Sequence, residues 1–207
     1  MKTKRPKMIE TVGALYYAFN TPGEDGTFNK STFEDVVKSP IIKKIAVEPE
    51  AETTVVRASG EDYDEVSQTS SIGLEIEVVG FDPADLAKAK GETVDSSGLI
   101  LGGSSSPRPY LAIGVPVKKV GGGICMKWYP KCKLVENSEE VSTSETSFSE
   151  QNPTVNFSAF SFDETGTKFV YLDTETEVFP EGMTEEKFFS KVVTTKDDIA
   201  TLLAPEA

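Results

Sequence analysis

The clearest periodicity in the chain is a two-residue alternation of apolar and polar positions over residues 71 to 78. In an extended strand, successive side chains point to opposite faces of the sheet. One face therefore carries Ile72, Leu74, Ile76 and Val78, whereas the other carries Ser71, Gly73, Glu75 and Glu77. This pattern predicts a half-buried strand with an acidic outer face.

Further segments rich in β-branched and aromatic residues occur at 12–19 and between 99 and 175. Turn-forming residues at 121–123 (GGG) and 163–166 (DETG) separate some of these segments and predict hairpin turns there. Several short strands joined in this way are typical of a β-sandwich or barrel. A chain of 207 residues fits one ordinary domain. We therefore predict a mainly β (α+β) fold and a single domain over residues 1–207.

Capping signals predict three short helices. Asp82 precedes a helix at 83–90 that has Pro83 at its first position and Gly91 just after its end. Near the C-terminus, Thr184 is placed to cap EEKFFSKV, and Thr195 with Asp198 to open DDIATLL. The helix at 83–90 has few apolar positions, so we expect it to pack on one side of a sheet.

Residues 20–40 form a polar segment interrupted by glycine and proline. A loop of about twenty residues is uncommon in a compact domain and is usually functional or disordered. We therefore expect the loop at 20–40 to take part in assembly.

The formal net charge is −13 and the isoelectric point is near 4.5, although residues 2–7 carry four positive charges. An acidic body repels phosphate, which argues against ordinary nucleic-acid binding. The basic residues 1–8 are expected to form a flexible arm or to dock on an acidic neighbour. No apolar run approaches the roughly 20 residues that span a bilayer, and Glu10 interrupts the stretch that resembles a secretory signal. We expect synthesis in the cytoplasm.

The chain has no histidine, which removes the commonest general base and the commonest metal ligand. Cys125 and Cys132 are too few for a structural zinc site and are expected to be reduced, packed thiols, with pairing as the alternative. The acidic residues 61–65 lack the spacing of an EF-hand and predict a solvated turn. We predict no catalytic, cofactor-binding or metal-binding residues and no enzymatic activity.

Several segments occur in an informative order: VGALYYAF, KKIAVEPEAE, GLEIEVVGFDPADLAKAKG, PYLAIGVPVKKVGGG, ICMKWYPKCKL, TSFSEQNPTVNFSAF and EEKFFSKV. Together they span most of the chain. Their succession resembles the major tail protein (tail tube protein) family of long-tailed, non-contractile phages and prophages of Gram-positive bacteria.

The resemblance implies a β-sandwich-like tube protein with a flanking helix, assembled as homo-hexameric rings whose inner sheets join into a continuous barrel. Stacked rings would form the tail tube of the virion and conduct DNA without binding it specifically. The implied partners are further copies of the chain and the tail terminator, tape-measure and distal tail proteins, all made in the host bacterial cytoplasm. Tubes of contractile injection systems have a similar fold and remain an alternative.

On this interpretation Glu75 and Glu77 line the lumen, where they would keep DNA from sticking; plain solvent exposure is the alternative. The loop at 20–40 would reach an adjacent ring through apolar anchors, or else be a flexible surface loop. The anchors are Phe28, Phe33, Val36 and Val37. The competing function is a β-sandwich binding module, such as an adhesin of a virion or cell surface.

Overall fold

The computed structural model describes residues 5–24, 26–58, 61–103, 106–143 and 150–204. For residues 52–58 and 61–68 only the backbone is described. The strands of this part are β1 (Ile9–Val12), β2 (Leu15–Phe19), β3 (Val37–Ser39), β4 (Ile42–Ala58), β5 (Glu61–Val78), β6 (Thr93–Val94), β7 (Ile100–Leu101), β8 (Leu111–Lys119), β9 (Gly123–Ser138), β10 (Thr154–Ala159) and β11 (Val170–Asp173). The helices are α1 (Pro83–Lys90), α2 (Glu185–Phe188) and α3 (Lys196–Leu203). The predicted mainly β class is confirmed.

Nine of the described strands form one antiparallel sheet in the order β3-β2-β8-β9-β10-β5-β4, with β1 added beside β8 and β11 beside β9. Strands β6 and β7 pair separately. Although β1 and β4 belong to opposite ends of the sheet, they contact each other. The sheet therefore curls until its ends meet, as in a barrel.

The concave side of this sheet encloses the larger apolar core. Strands β2, β5, β8, β9 and β10 all contribute to it, and partly buried residues of β1 and β4 close it. Its β5 members are Ile72, Leu74, Ile76 and Val78. The face predicted by the two-residue alternation is therefore buried as predicted.

Helix α1 lies against the same core through Ala89 and, in part, Leu86. Asp82 caps it by accepting hydrogen bonds from the amides of Ala84 and Asp85, and Gly91 ends it in the left-handed conformation. The Tyr17 hydroxyl donates to the Asp85 carboxylate at 2.5 Å. Burial and this hydrogen bond raise the pKa of Tyr17 above its usual range.

A second apolar core fills the convex side over β2, β8 and β9, where the C-terminal segment covers the sheet. Phe189 stacks on Tyr16 at 4.1 Å between ring centroids and meets Trp128 edge-on. The Trp128 indole N–H donates to the Phe188 carbonyl at 3.3 Å. This packing holds α2 and α3 against the sheet.

Both C-terminal helices begin where their capping residues predict. The Thr184 hydroxyl accepts from the Lys187 amide. Thr195 and Asp198 form a reciprocal capping box. Hydrogen bonds from Lys191 and from the backbone amides of Thr194 and Thr195 outweigh desolvation and lower the pKa of Asp198 well below its usual range.

Two local predictions are wrong. The turn at 163–166 does not join paired strands, because β10 and β11 both pair with β9 instead of with each other. Residues 61–65 were predicted as a turn, but their backbone begins β5 and pairs with β4. In the first case a pairing partner distant in sequence decides the structure. In the second case the partner is the preceding strand, and the pairing extends through the acidic residues.

Gly114 marks the closest approach between the sheet and the C-terminal segment. A Cβ at this position would lie 2.8 Å from a ring carbon of Phe189 and 2.8 Å from one of Trp128. Overpacking of this kind costs about 1–3 kcal/mol. We expect Gly114→Ala to lower the urea midpoint accordingly. Gly80→Ala is the control because a Cβ there meets nothing within 4 Å; equal midpoints for the two variants would contradict the packing.

Candidate assembly surface

The convex side of β4, β5, β10 and β9 carries a continuous polar surface. Pairing register places its members on one face because residues directly opposite each other in a sheet point the same way. We call this surface the polar sheet face; it comprises Lys44, Ala46, Glu48, Glu50, Gly73, Glu75, Glu77, Lys133, Glu136, Ser138, Thr154, Asn156 and Ser158. Glutamates outnumber lysines on it.

Amide side chains hold some of these carboxylates in place. The Asn152 amide donates to Glu77 at 3.0 Å, and the Asn156 amide donates to Glu136 at 3.4 Å. Glu75, directly opposite Asn156, is exposed. Both predicted lumen residues, Glu75 and Glu77, therefore lie on the polar sheet face, and their exposure to a lumen stays a prediction.

The hairpin of β4 and β5 continues past the end of this face. Strand β10 pairs with β5 only between Ile72 and Glu77, whereas β4 and β5 pair with each other from Ile42 to the hairpin end. Apart from their pairing with each other, no described strand pairs with the backbone of 51–58 or 61–70. We call these two segments the hairpin arm. At about 3.3 Å per residue the arm is about 23 Å long.

The segment predicted as a loop at 20–40 is not a loop throughout, because its last residues form β3 and pair with β2. Its described part before β3 folds back on the body. The Asn20 side chain donates to the carbonyls of Asn29 and Thr32 and accepts from the Asn29 amide, which ties the loop into a closed shape. A backbone bridge joins Asn20 to Phe33. The loop's role in assembly stays a prediction, but its shape is fixed by contacts within one chain.

The four predicted anchors of this loop differ in their surroundings. Phe28 packs edge-on against Tyr110 at 5.6 Å and Phe33 at 6.1 Å. Phe33 and Val36 also pack against the convex core, whereas Val37 is 40% exposed in β3. Three of the anchors therefore already have partners in their own chain.

The described part of the basic N-terminus contacts the body of the chain at Lys7. The Lys7 amide donates to Glu175 at 2.8 Å, and its ammonium group donates to the Gly121 carbonyl. Glu175 also accepts from Lys119, which bonds Asp173 as well, and these hydrogen bonds lower the pKa of Glu175. Residues 1–4 of the predicted arm lie outside the described residues.

Other chemistry in the described part is limited. Cys125 and Cys132 are buried free thiols, and burial raises the pKa of both. No group of three metal-ligating side chains occurs among the residues that the structure describes. Within the same residues, no helix is long and apolar enough to cross a bilayer.

The sequence did not predict the charged residues at the two lateral edges of the polar sheet face, on β4 and on β9. Glu48 and Glu50 belong to KKIAVEPEAE, which contributed only to the family resemblance, and Lys131 and Lys133 follow the buried Tyr129 and Pro130. Their relation depends on strand order, which no local pattern encodes. The only available signal was Pro49, since proline within a strand favours the edge of a sheet.

Comparison with known proteins found one structural similarity and no similar sequence. No protein family matches the sequence, and no curated protein matches it. A chain in the cryo-electron microscopy structure of the anti-feeding prophage baseplate, six-fold symmetrised, aligns with 83% of this chain and 97% of its own length. The TM-score is 0.42 and the sequence identity is 11%. Overlap at this level does not establish a common fold.

Proposed function

We propose that this chain is a major tail protein that assembles as stacked hexameric rings and forms the tube through which phage DNA is delivered. The observation that carries the proposal is the polar sheet face, a four-stranded surface that is glutamate-rich and outside both apolar cores. A surface of this composition suits a water-filled wall better than a packed interface.

The dimensions support this role. Six copies contributing four strands each, spaced about 4.8 Å apart, would enclose a barrel at least about 37 Å across between backbones. Strand tilt widens such a barrel further. A DNA duplex passes through an opening of this size with room for side chains and water.

The charge of the face also supports this role. Carboxylates on the wall repel phosphates, so a polyanion is kept from binding as it moves. The protein is in this view structural, located in the virion tail, and without catalytic activity. Its partners are further copies and the tail terminator, tape-measure and distal tail proteins.

Negative-stain electron microscopy of the purified chain tests the proposal. We expect rings or tubes at concentrations in the micromolar range and above, with a central channel. Analytical ultracentrifugation of the same sample should show species larger than the 22.4 kDa monomer. Monomers under all assembly conditions would rule out the tube function.

Charge reversal on the wall is expected to make the tube adhere to DNA. In Glu75→Lys with Glu77→Lys, each ring gains positive charge along the channel, and each phosphate contact adds salt-sensitive affinity. Tubes of this variant should therefore retain DNA in a filter or co-sedimentation assay at low salt, unlike the wild type. Glu181→Lys, exposed and outside the polar sheet face, is the control. Equal DNA retention by variant and control would remove these residues from the lumen.

One observation favours a second candidate, a binding module. Phe169 and Tyr171 are 39% and 55% exposed beside a groove of about 520 Å³ that Lys127 and Val117 also line. Exposed aromatic rings in a groove are typical of carbohydrate or protein recognition. A monomer whose binding to host-cell glycans is lost in Tyr171→Ala would favour this function over the tube.

A further inference from the structure

A single register row crosses the polar sheet face and has opposite charges at its two ends. Glu48 pairs with Gly73, Gly73 with Ser158, and Ser158 with Lys133. Three strand spacings separate the ends, or about 14 Å. This exceeds the screening length of about 8 Å at physiological ionic strength, so the two charges do not neutralise each other within one chain.

The acidic end lies on β4, the last strand of the sheet. Glu48 and Glu50 are both exposed there, and Ser71 donates a hydrogen bond to the Glu50 carboxylate. Between them, Pro49 has no N–H to offer a neighbouring strand. Val47 is 41% exposed beside them. We call the segment Val47–Glu50 the acidic side.

The basic end lies on β9, beside the loop at 20–40. The Lys133 ammonium group lies 4.3 Å from the centroid of the Tyr110 ring. The Lys131 ammonium group lies 5.2 Å from Phe28 and 5.3 Å from Tyr110. Tyr110 directly precedes β8, which flanks β9 on the side away from β10. Both lysines therefore reach sideways, off the four-stranded face.

A groove lies at the basic end of the row, beside β9. Phe28, Lys30 and Lys131 line a groove of about 710 Å³, together with residues 161–165, which include Asp163 and Glu164. The Asp163 carboxylate accepts hydrogen bonds from Thr165 and Thr167. In the described part of the chain, neither Lys131 nor Lys133 forms an ion pair; their contacts are with aromatic rings. We call Phe28, Lys30, Lys131 and Lys133 the basic side.

We propose that the acidic side of one copy docks on the basic side of the next copy, as the lateral contact within a ring. This inference rests on the proposed function and deepens it. The two sides are different surfaces of one chain, so the contact is head-to-tail, and head-to-tail contacts close into rings when the rotation allows. The occupant of the basic side is thus a second copy of this chain.

The overall charge favours such a contact. Copies with a net charge of −13 repel one another at long range, and a local surface of opposite sign offsets this repulsion where two copies meet. Lysines close to aromatic rings supply that sign at the basic side. Docking would also cover the β4 edge at Val47–Glu50, where no described strand other than β5 pairs and the edge is open to uncontrolled strand pairing.

Paired charge reversals test the contact. The first variant is Glu48→Lys with Glu50→Lys, and the second is Lys131→Glu with Lys133→Glu. In either variant alone, the two sides carry the same sign, so we expect loss of rings and tubes at concentrations where the wild type assembles. Mixed in equal amounts, the variants face each other with opposite signs at every contact. We therefore expect the mixture to recover rings in which the two variants alternate.

The control variant, Glu181→Lys with Lys196→Glu, changes as many signs on the C-terminal segment and should assemble as the wild type does. Circular dichroism establishes that each variant is folded. Assembly of either single variant at the wild-type level, or failure of two folded variants to recover rings on mixing, would overturn the lateral contact. A wild-type chain that stays monomeric would instead refute the tube function itself.

Discussion

Shortening the hairpin arm is expected to abolish tube formation and leave the protomer folded. The change replaces residues 52–68 with Asn-Gly, joining Ala51 to Thr69, which are register partners. Asn-Gly favours the two-residue turns that close antiparallel hairpins. In the described backbone, no third strand pairs with β4 or β5 between Ala51 and Thr69.

The physical reason lies in the arm's unpaired edges. A two-stranded ribbon alone is at best marginally stable in water, because it has no third strand or helix to pack on. Its free N–H and C=O groups also favour pairing with another chain. Contact with a neighbouring copy would therefore stabilise this arm of about 23 Å. We expect that copy to belong to the adjacent ring.

Electron microscopy and thermal unfolding of the shortened chain separate the two halves of this prediction. We expect an unfolding midpoint close to that of the wild type, together with monomers or single rings in place of tubes. Tubes of normal length and abundance would contradict an assembly role for the arm. Loss of the folded protomer would contradict the view that the rest of the chain folds without the arm.

Phe189→Ala is expected to cause the largest loss of stability from a single substitution. The Phe189 ring is 2% exposed and stacks on Tyr16, and it also meets Trp128 and Phe188 edge-on. Truncating a buried phenylalanine costs about 3–5 kcal/mol through lost transfer free energy and the cavity left behind. The loss should detach the C-terminal segment from the sheet.

Urea unfolding followed by tryptophan fluorescence measures this effect, because Trp128 is the only tryptophan and packs on Phe189. Phe169→Ala is the matched control, since Phe169 is 39% exposed and belongs to neither core. We expect a much smaller change in the free energy of unfolding for the control. Similar changes in both variants would show that the C-terminal segment does not contribute the packing assigned to it.

Local signals predicted the parts of the fold that depend on neighbours in sequence. The alternation over 71–78 places four apolar side chains in one core because strand geometry alone fixes their direction. The caps at Asp82, Thr184 and Thr195 predict helix starts because the capping bonds span only two or three residues. These rules need no knowledge of the tertiary structure.

Contacts between distant residues account for what was missed. The strand at 42–58 continues past Pro49 because β5 pairs with it along its whole length. The loop at 20–40 folds back because Asn20 and Tyr110 supply partners, and Tyr110 is far away in sequence. Neither outcome follows from composition or periodicity.

The sequence likewise predicted one part of the polar sheet face and not the other. The alternation predicted that Glu75 and Glu77 share a polar face, and they do. The row from Glu48 to Lys133 was not predictable, because it depends on the order β4-β5-β10-β9. Strand order is set by the packing of the whole sheet, so the lateral sides become visible only in the structure.

Cryo-electron microscopy of the assembled wild-type chain tests the central claim most directly, because it shows which surface faces the channel. We predict rings of six copies in which β4, β5, β10 and β9 line the channel, with Glu75 and Glu77 pointing into it. An assembly with Glu75 and Glu77 on its outer surface, or buried between copies, would contradict the account.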